Sequence, residues 1–98
     1  MTINTTKNND KVTFQISGRL DTTTAPELEK AVNELGEDAK ELIIDMKELE
    51  YISSAGLRVL LAAQKKMKKT GSMKLSNVGE TVMEVLEITG FSDVLTIE

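Results

Sequence analysis

Val12, Phe14 and Ile16 alternate with Thr13, Gln15 and Ser17, the period-two pattern of a half-buried strand. Before them, Met1 to Lys7 holds isolated apolar residues among Thr and Asn, as an edge strand does, and Asn8-Asn9-Asp10 supplies turn chemistry. The pair predicts a hairpin. Gly18-Arg19-Leu20-Asp21 is read as leaving the strand, and Thr24 with Glu27 matches a capping box around Pro26. Leu28, Ala31, Val32 and Leu35 then recur at i, i+3, i+4, i+7, the stripe of a helix that Gly36 is expected to stop. Leu42-Ile43-Ile44 with Met46 is a nearly unbroken apolar run, which predicts a central strand covered on both faces. Lys47 to Tyr51 reads as a connector burying Leu49 and Tyr51, and a second helix follows with Leu57, Leu60, Leu61, Gln64 and Met67 turned inward. Thr70-Gly71-Ser72 turns into a short strand at 73–76. Val82, Val85, Leu86 and Thr89 line a third helix that Gly90 stops, and Val94, Leu95 and Ile97 predict a last strand.

The predicted order is β-β-α-β-α-β-α-β, an α/β fold in one domain, 1–98. Strands alternating with helices imply crossover connections, hence a mixed sheet with a mostly parallel centre and an antiparallel N-terminal hairpin. A chain of 98 residues buries roughly two-thirds of its unfolded surface, enough for one core without disulfides or metal.

Composition removes whole classes of chemistry. With no Cys and no His, the chain lacks thiol nucleophiles, Ser–His catalysis and the usual structural zinc ligands. No loop has calcium-binding spacing, so neither metal nor cofactor is expected. A net charge of -4 with one Tyr, two Phe and no Trp argues against a nucleic-acid binder that stacks bases. The apolar runs are too short to span a bilayer, and Met1-Thr2-Ile3-Asn4-Thr5 does not resemble a leader. A cytoplasmic protein, monomeric or weakly dimeric and not membrane-bound, is the expectation.

Candidate chemistry gathers at Tyr51-Ile52-Ser53-Ser54-Ala55-Gly56-Leu57-Arg58. Ser53 and Ser54 are residue types that cap helix N-termini, and capping alone accounts for either. Ala55-Gly56 keeps the helix start open to close approach. Arg58 follows Ser54 by four residues, within guanidinium reach on a helix; it is a candidate clamp for a phosphate at Ser54 or an ordinary solvent-facing residue. Lys65, Lys66, Lys68 and Lys69 complement the negative end of the helix dipole as a solvated face, with docking as the alternative.

Two segments, Gly18-Arg19-Leu20-Asp21 through Thr24-Ala25 with Leu28, and Asp45 through Leu57, resemble the STAS domain family in the form of the small bacterial anti-sigma factor antagonists. In that family the second segment usually reads Asp-Ser-Ser/Thr-Gly-Leu. The resemblance implies that Ser54 is the phosphoacceptor, that Ser53 stands in the position of the acid and Ala55 in that of the next hydroxyl, and that Gly56 and Leu57 match. It also implies that Asp21, with Thr22 beside it, lies near the phosphoacceptor in the switch or partner contact. The implied function is that of an anti-sigma factor antagonist, not an enzyme. It would bind an ATP-dependent anti-sigma factor serine kinase, be switched off by phosphorylation and be restored by a phosphatase. The alternatives are an accessory subunit of a transport or signalling complex without phosphorylation and, with no His, Cys or phosphate-cradling glycine loop to support it, an enzyme using Ser54 as nucleophile.

Overall fold

The computed structural model covers Met1–Glu98. In chain order it contains β1 (Thr2–Asn8), β2 (Lys11–Leu20), α1 (Ala25–Asn33), β3 (Glu41–Ile52), α2 (Ser54–Thr70), β4 (Ser72–Ser76) and α3 (Glu80–Ile88), then a single 3-10 turn at Phe91–Asp93. The sheet order is β1-β2-β3-β4, with β1 antiparallel to β2 and the other neighbours parallel. The fold class is the expected one: a mixed sheet with a parallel centre, an N-terminal hairpin and three helices.

Both crossovers, β2-α1-β3 and β3-α2-β4, advance in the same direction across the sheet, so right-handed connections place α1 and α2 on the same face. Val12, Phe14, Ile16, Leu42, Ile44, Met46, Met73 and Leu75 point into that layer and are buried. The alternating positions Thr13, Gln15, Ile43, Asp45, Lys74 and Ser76 are not. The expectation of a central strand covered on both faces is therefore corrected. Ile43 lies half-buried on the open face, in register between Thr13 and Lys74, where packing against cross-strand neighbours on the pleat suits an isoleucine without a second layer.

Two strands outrun their sequence limits. Register shifts between Gln15 and Ser17 and between Gly18 and Arg19 let β2 keep pairing until Leu20 meets Ile52. The expected connector 47–51 is consequently part of β3, with Leu49 buried and Tyr51 38% exposed on the open face. The expected last strand shrinks to one parallel bridge, Leu75 with Ile97, because the Val94 and Leu95 N–H groups bond back to the Phe91 carbonyl at 3.0 and 2.8 Å.

Helix ends differ for a physical reason as well. α1 stops at Asn33, not at Gly36, and Lys66 of α2 donates from Nζ to the carbonyls of Val32 and Leu35 there at 2.8 and 3.0 Å. A cation from the neighbouring helix thus satisfies the C-terminal carbonyls that a glycine motif would otherwise serve. On α2 the inward face is turned toward α1: Val59 and Ala63 are buried with Leu57, Leu60, Gln64 and Met67, while Leu61 is only half-buried. α3 ends as expected before Gly90, whose φ of 80° is the left-handed region open to glycine. Thr89, expected to face inward, is exposed and returns its hydroxyl to the Val85 carbonyl at 2.7 Å. No helix is long and apolar enough to cross a membrane.

Candidate functional site

β2 and β3 end side by side, and one residue later the Ser53 N–H donates to the Leu20 carbonyl at 2.9 Å. That bond fixes the loop after β2 against the start of α2, at the carboxyl ends of the parallel strands, where open α/β sheets gather functional groups. Two chain segments remote in sequence are joined there: Arg19 to Ala25 and Tyr51 to Val59.

The Asp21 loop holds its shape through its own side chains. The predicted capping box does not form: Thr24 has a helical backbone (φ -103°, ψ -21°) rather than the extended geometry of a side-chain cap. Its hydroxyl donates instead to the Arg19 carbonyl at 2.7 Å and accepts from the Asp21 N–H at 2.8 Å. Asp21 Oδ1 takes over the capping task, accepting from the Thr23 and Thr24 N–H groups at 3.0 and 3.2 Å and from the Thr23 hydroxyl at 2.7 Å. These donors, the Thr23 hydroxyl foremost, hold the carboxyl below its ordinary 3.8 against a smaller upward push from desolvation. Asp21 is therefore a carboxylate at neutral pH, with Oδ2 facing Arg19 Nε at 3.6 Å.

The structure separates the two serines. Ser53 has the extended backbone of an N-cap (φ -104°, ψ 176°), and its Oγ accepts from the Gly56 N–H at 3.5 Å. Ser is as good a cap as Asp, so the helix start tolerates a hydroxyl where the resemblance places an acid. Ser54 is the first residue of α2, exposed, and its hydroxyl makes no hydrogen bond within the chain. The first N–H groups of a helix lack intrahelical partners, so an acceptor attached at Ser54 would find donors nearby.

Gly56, expected among the partner contacts, is buried. A Cβ there would lie 2.7 Å from Leu20 Cγ and 3.0 Å from Ile52 Cγ1. The close approach that needs a glycine is that of α2 to the ends of β2 and β3, not that of an outside surface. Ala55, half-buried, and Arg58, exposed, line a depression of about 290 Å3 between the first turns of α1 and α2 with Thr22, Ala25, Pro26, Glu29 and Val59. Asp21, Thr22, Ser53, Ser54, Ala55 and Arg58 thus share one end of the molecule, and Arg58 enters no ion pair within the chain.

Sequence reasoning missed Arg19 and Tyr51. Paired in register across β2 and β3, they stack with the guanidinium carbon 4.1 Å from the ring centroid, a cation–π contact on the exposed edge of the site. Both signals were present in the chain, but only the extension of both strands makes the residues neighbours.

Known proteins resemble this chain in sequence and in fold. The model of the STAS domain family matches residues 2–98. The anti-sigma-B factor antagonist of Bacillus subtilis (strain 168) is 34% identical over 92 residues, which cover 93% of this chain and 84% of that protein. Among solved structures, an anti-sigma factor antagonist from Mycobacterium paratuberculosis superposes with a TM-score of 0.86 at 26% identity, covering 98% of this chain and 83% of the other. SpoIIAA, a Bacillus cell fate determinant solved in unphosphorylated and phosphorylated forms, shares the fold at 16% identity. Its TM-scores are 0.79 and 0.68, with coverage of 99% of this chain in both cases and 88% and 91% of the respective SpoIIAA chains.

Proposed function

The chain belongs to the STAS domain family, and from that membership we propose that it is an anti-sigma factor antagonist switched by phosphorylation of Ser54. Unmodified, it binds an anti-sigma factor that is also an ATP-dependent serine kinase and so frees a sigma factor. Phosphorylated, it is released until a phosphatase restores the hydroxyl. Its action is binding, not catalysis. The observation that carries this reading is the division of labour between the serines: Ser53 caps α2, leaving Ser54 exposed and free of internal hydrogen bonds. The name of the Bacillus subtilis relative supports the antagonist role, and the two forms of SpoIIAA support the modification.

The physics is consistent with a switch that spares the fold. A phosphate brings about -1.5 to -2 charges and three acceptor oxygens to a helix N-terminus, where the dipole favours anions. Arg58, one turn along α2, offers a guanidinium that enters no ion pair within the chain. A partner surface fitted to a neutral hydroxyl must instead accept an anion beside the Asp21 carboxylate, and the complex weakens. Incubating wild-type protein and Ser54→Ala with candidate anti-sigma factor kinases and ATP, then measuring binding of these and of Ser54→Asp, tests the reading. The expected outcome is phosphate on the wild type alone, binding kept in Ser54→Ala and lost at least tenfold in Ser54→Asp. Equal binding by all three, or equal labelling of Ser54→Ala, overturns it.

A further inference from the structure

Charge is distributed unevenly over this acidic chain. α2 carries Arg58, Lys65, Lys66, Lys68 and Lys69 and no acidic residue, although the net charge is -4. Lys66 is spent on the carbonyls that end α1. The other four are exposed, and none meets a carboxylate within the chain, whose ion pairs involve only Arg19 and Lys74. At about 100° per residue, Arg58, Lys65, Lys68 and Lys69 fall within roughly 60° of the direction of Ser54, and at about 1.5 Å rise per residue the row runs about 22 Å from Ser54 to Lys69. Leu61 is half-exposed along the same row and Ala62 is exposed at its edge, giving it apolar ground between the charges. α3 has the reverse composition, Glu80, Glu84 and Glu87 with no basic residue.

We propose that this outer face of α2 is a docking ridge for an acidic surface of the anti-sigma factor, a helix or strand edge carrying carboxylates at matching intervals. The inference rests on the functional reading above. Four cations on one rigid helix, none of them in an ion pair, attract an acidic surface over roughly a Debye length of about 8–10 Å and fix its register, while the acidic α3 repels it elsewhere. A phosphate at Ser54 then sits at the head of the ridge. It draws Arg58 to itself and adds like charge where the partner's first carboxylate would dock, so a single modification weakens a long contact from its end. The ridge also gives a role to Lys65, which precedes the last turn that holds Lys68 and Lys69 and so lies beyond the reach of dipole compensation.

The test compares wild type with Lys65→Glu/Lys68→Glu/Lys69→Glu, all exposed positions whose fold is checked by circular dichroism. Affinity for the purified anti-sigma factor kinase of the source organism is measured from about 0.05 to about 0.3 M salt, a range over which surface charge is progressively screened. The expected result is a loss of affinity of at least tenfold on reversal and a wild-type affinity that falls with salt while that of the variant does not. Reversing the partner's acidic positions should recover binding to the variant. Unchanged affinity in the triple variant, with Ser54→Asp still released, overturns the ridge and leaves the switch standing. No binding by wild type or Ser54→Ala removes both. Two controls also count against the ridge: lysine-dependent sedimentation with phosphatidylglycerol vesicles while kinase affinity is unaffected, and salt-sensitive self-association abolished by the same triple variant with no change in kinase affinity.

Discussion

Ser53 and Ser54 have identical side chains, and their backbones alone assign them different roles. An N-cap needs extended φ and ψ so that its oxygen can turn back to the first-turn donors; Ser53 has them, whereas Ser54 already lies within the helix. The cap bond, at 3.5 Å, is at the far limit of hydrogen-bond length. Ser53→Ala should therefore cost toward the low end of cap losses, about 0.5–1 kcal/mol. Ser53→Asp should recover that and add about 0.3–1 kcal/mol by placing a carboxylate at the positive helix end. Ser54→Ala removes no internal bond and should stay within about 0.5 kcal/mol of wild type. Urea midpoints at fixed slope measure all three, and a larger loss from Ser54→Ala than from Ser53→Ala would reverse the assignment. Both serines were legible in the sequence as helix starters. Which of them was structurally free was not, because that depends on the residue at which the backbone turns helical.

At the scale of elements, the helices were readable and the strand ends were not. A helix satisfies its backbone within itself, so Leu28, Val32, Leu57, Leu60, Val82 and Leu86 announce their faces by period alone. A strand ends where its neighbour ends, and two register shifts between β2 and β3, each with one extra residue in β3, decide that Arg19 still faces Tyr51. The same limit hid Lys66, whose role depends on the distance between α1 and α2. It also left Gln64 undiagnosed: the period placed it inward among Leu57, Leu60 and Met67, and it is indeed 7% exposed, but its Oε1 accepts no hydrogen bond from the rest of the chain. An unpaired buried acceptor forfeits the hydration it had in the unfolded chain. Gln64→Met keeps the length and removes the polar atom, so it should stabilise by about 1–2 kcal/mol and raise the melting temperature by several degrees in a domain of this size, on the order of 4–8 °C per kcal/mol. Calorimetry checks this, and a lower melting temperature would show that Gln64 has a polar role in the folded protein.

Over the whole molecule, the two groups with displaced titration lie at opposite ends of the parallel strands and govern opposite limbs of the pH profile. Asp21, beyond the carboxyl end of β2, is held below its ordinary 3.8 by the Thr23 hydroxyl and the neighbouring N–H groups. A depressed carboxyl contributes stability that is full above its unfolded value and is lost as pH falls through the folded one. Lys74 is held above 10.5 by its hydrogen bond to Glu41 and the charge of Glu98, with Nζ 3.3 and 3.7 Å from their carboxylates. A raised ammonium contributes stability that is full below its unfolded value and is lost as pH rises through the folded one. Both groups are solvated, so each slope is shallow. Asp21→Asn retains an acceptor for Thr23 but cannot titrate: its melting temperature should change less than that of wild type below pH 3.8, with an unaltered alkaline limb. Lys74→Met should flatten the decline above pH 10.5, and its effect should add to that of Asp21→Asn in the double variant, since distant sites are independent. Melting curves of the two variants and the double variant from acid to alkaline pH measure both limbs. A wild-type acid slope in Asp21→Asn would mean that the loop at the switch end is not held by the Asp21 carboxylate.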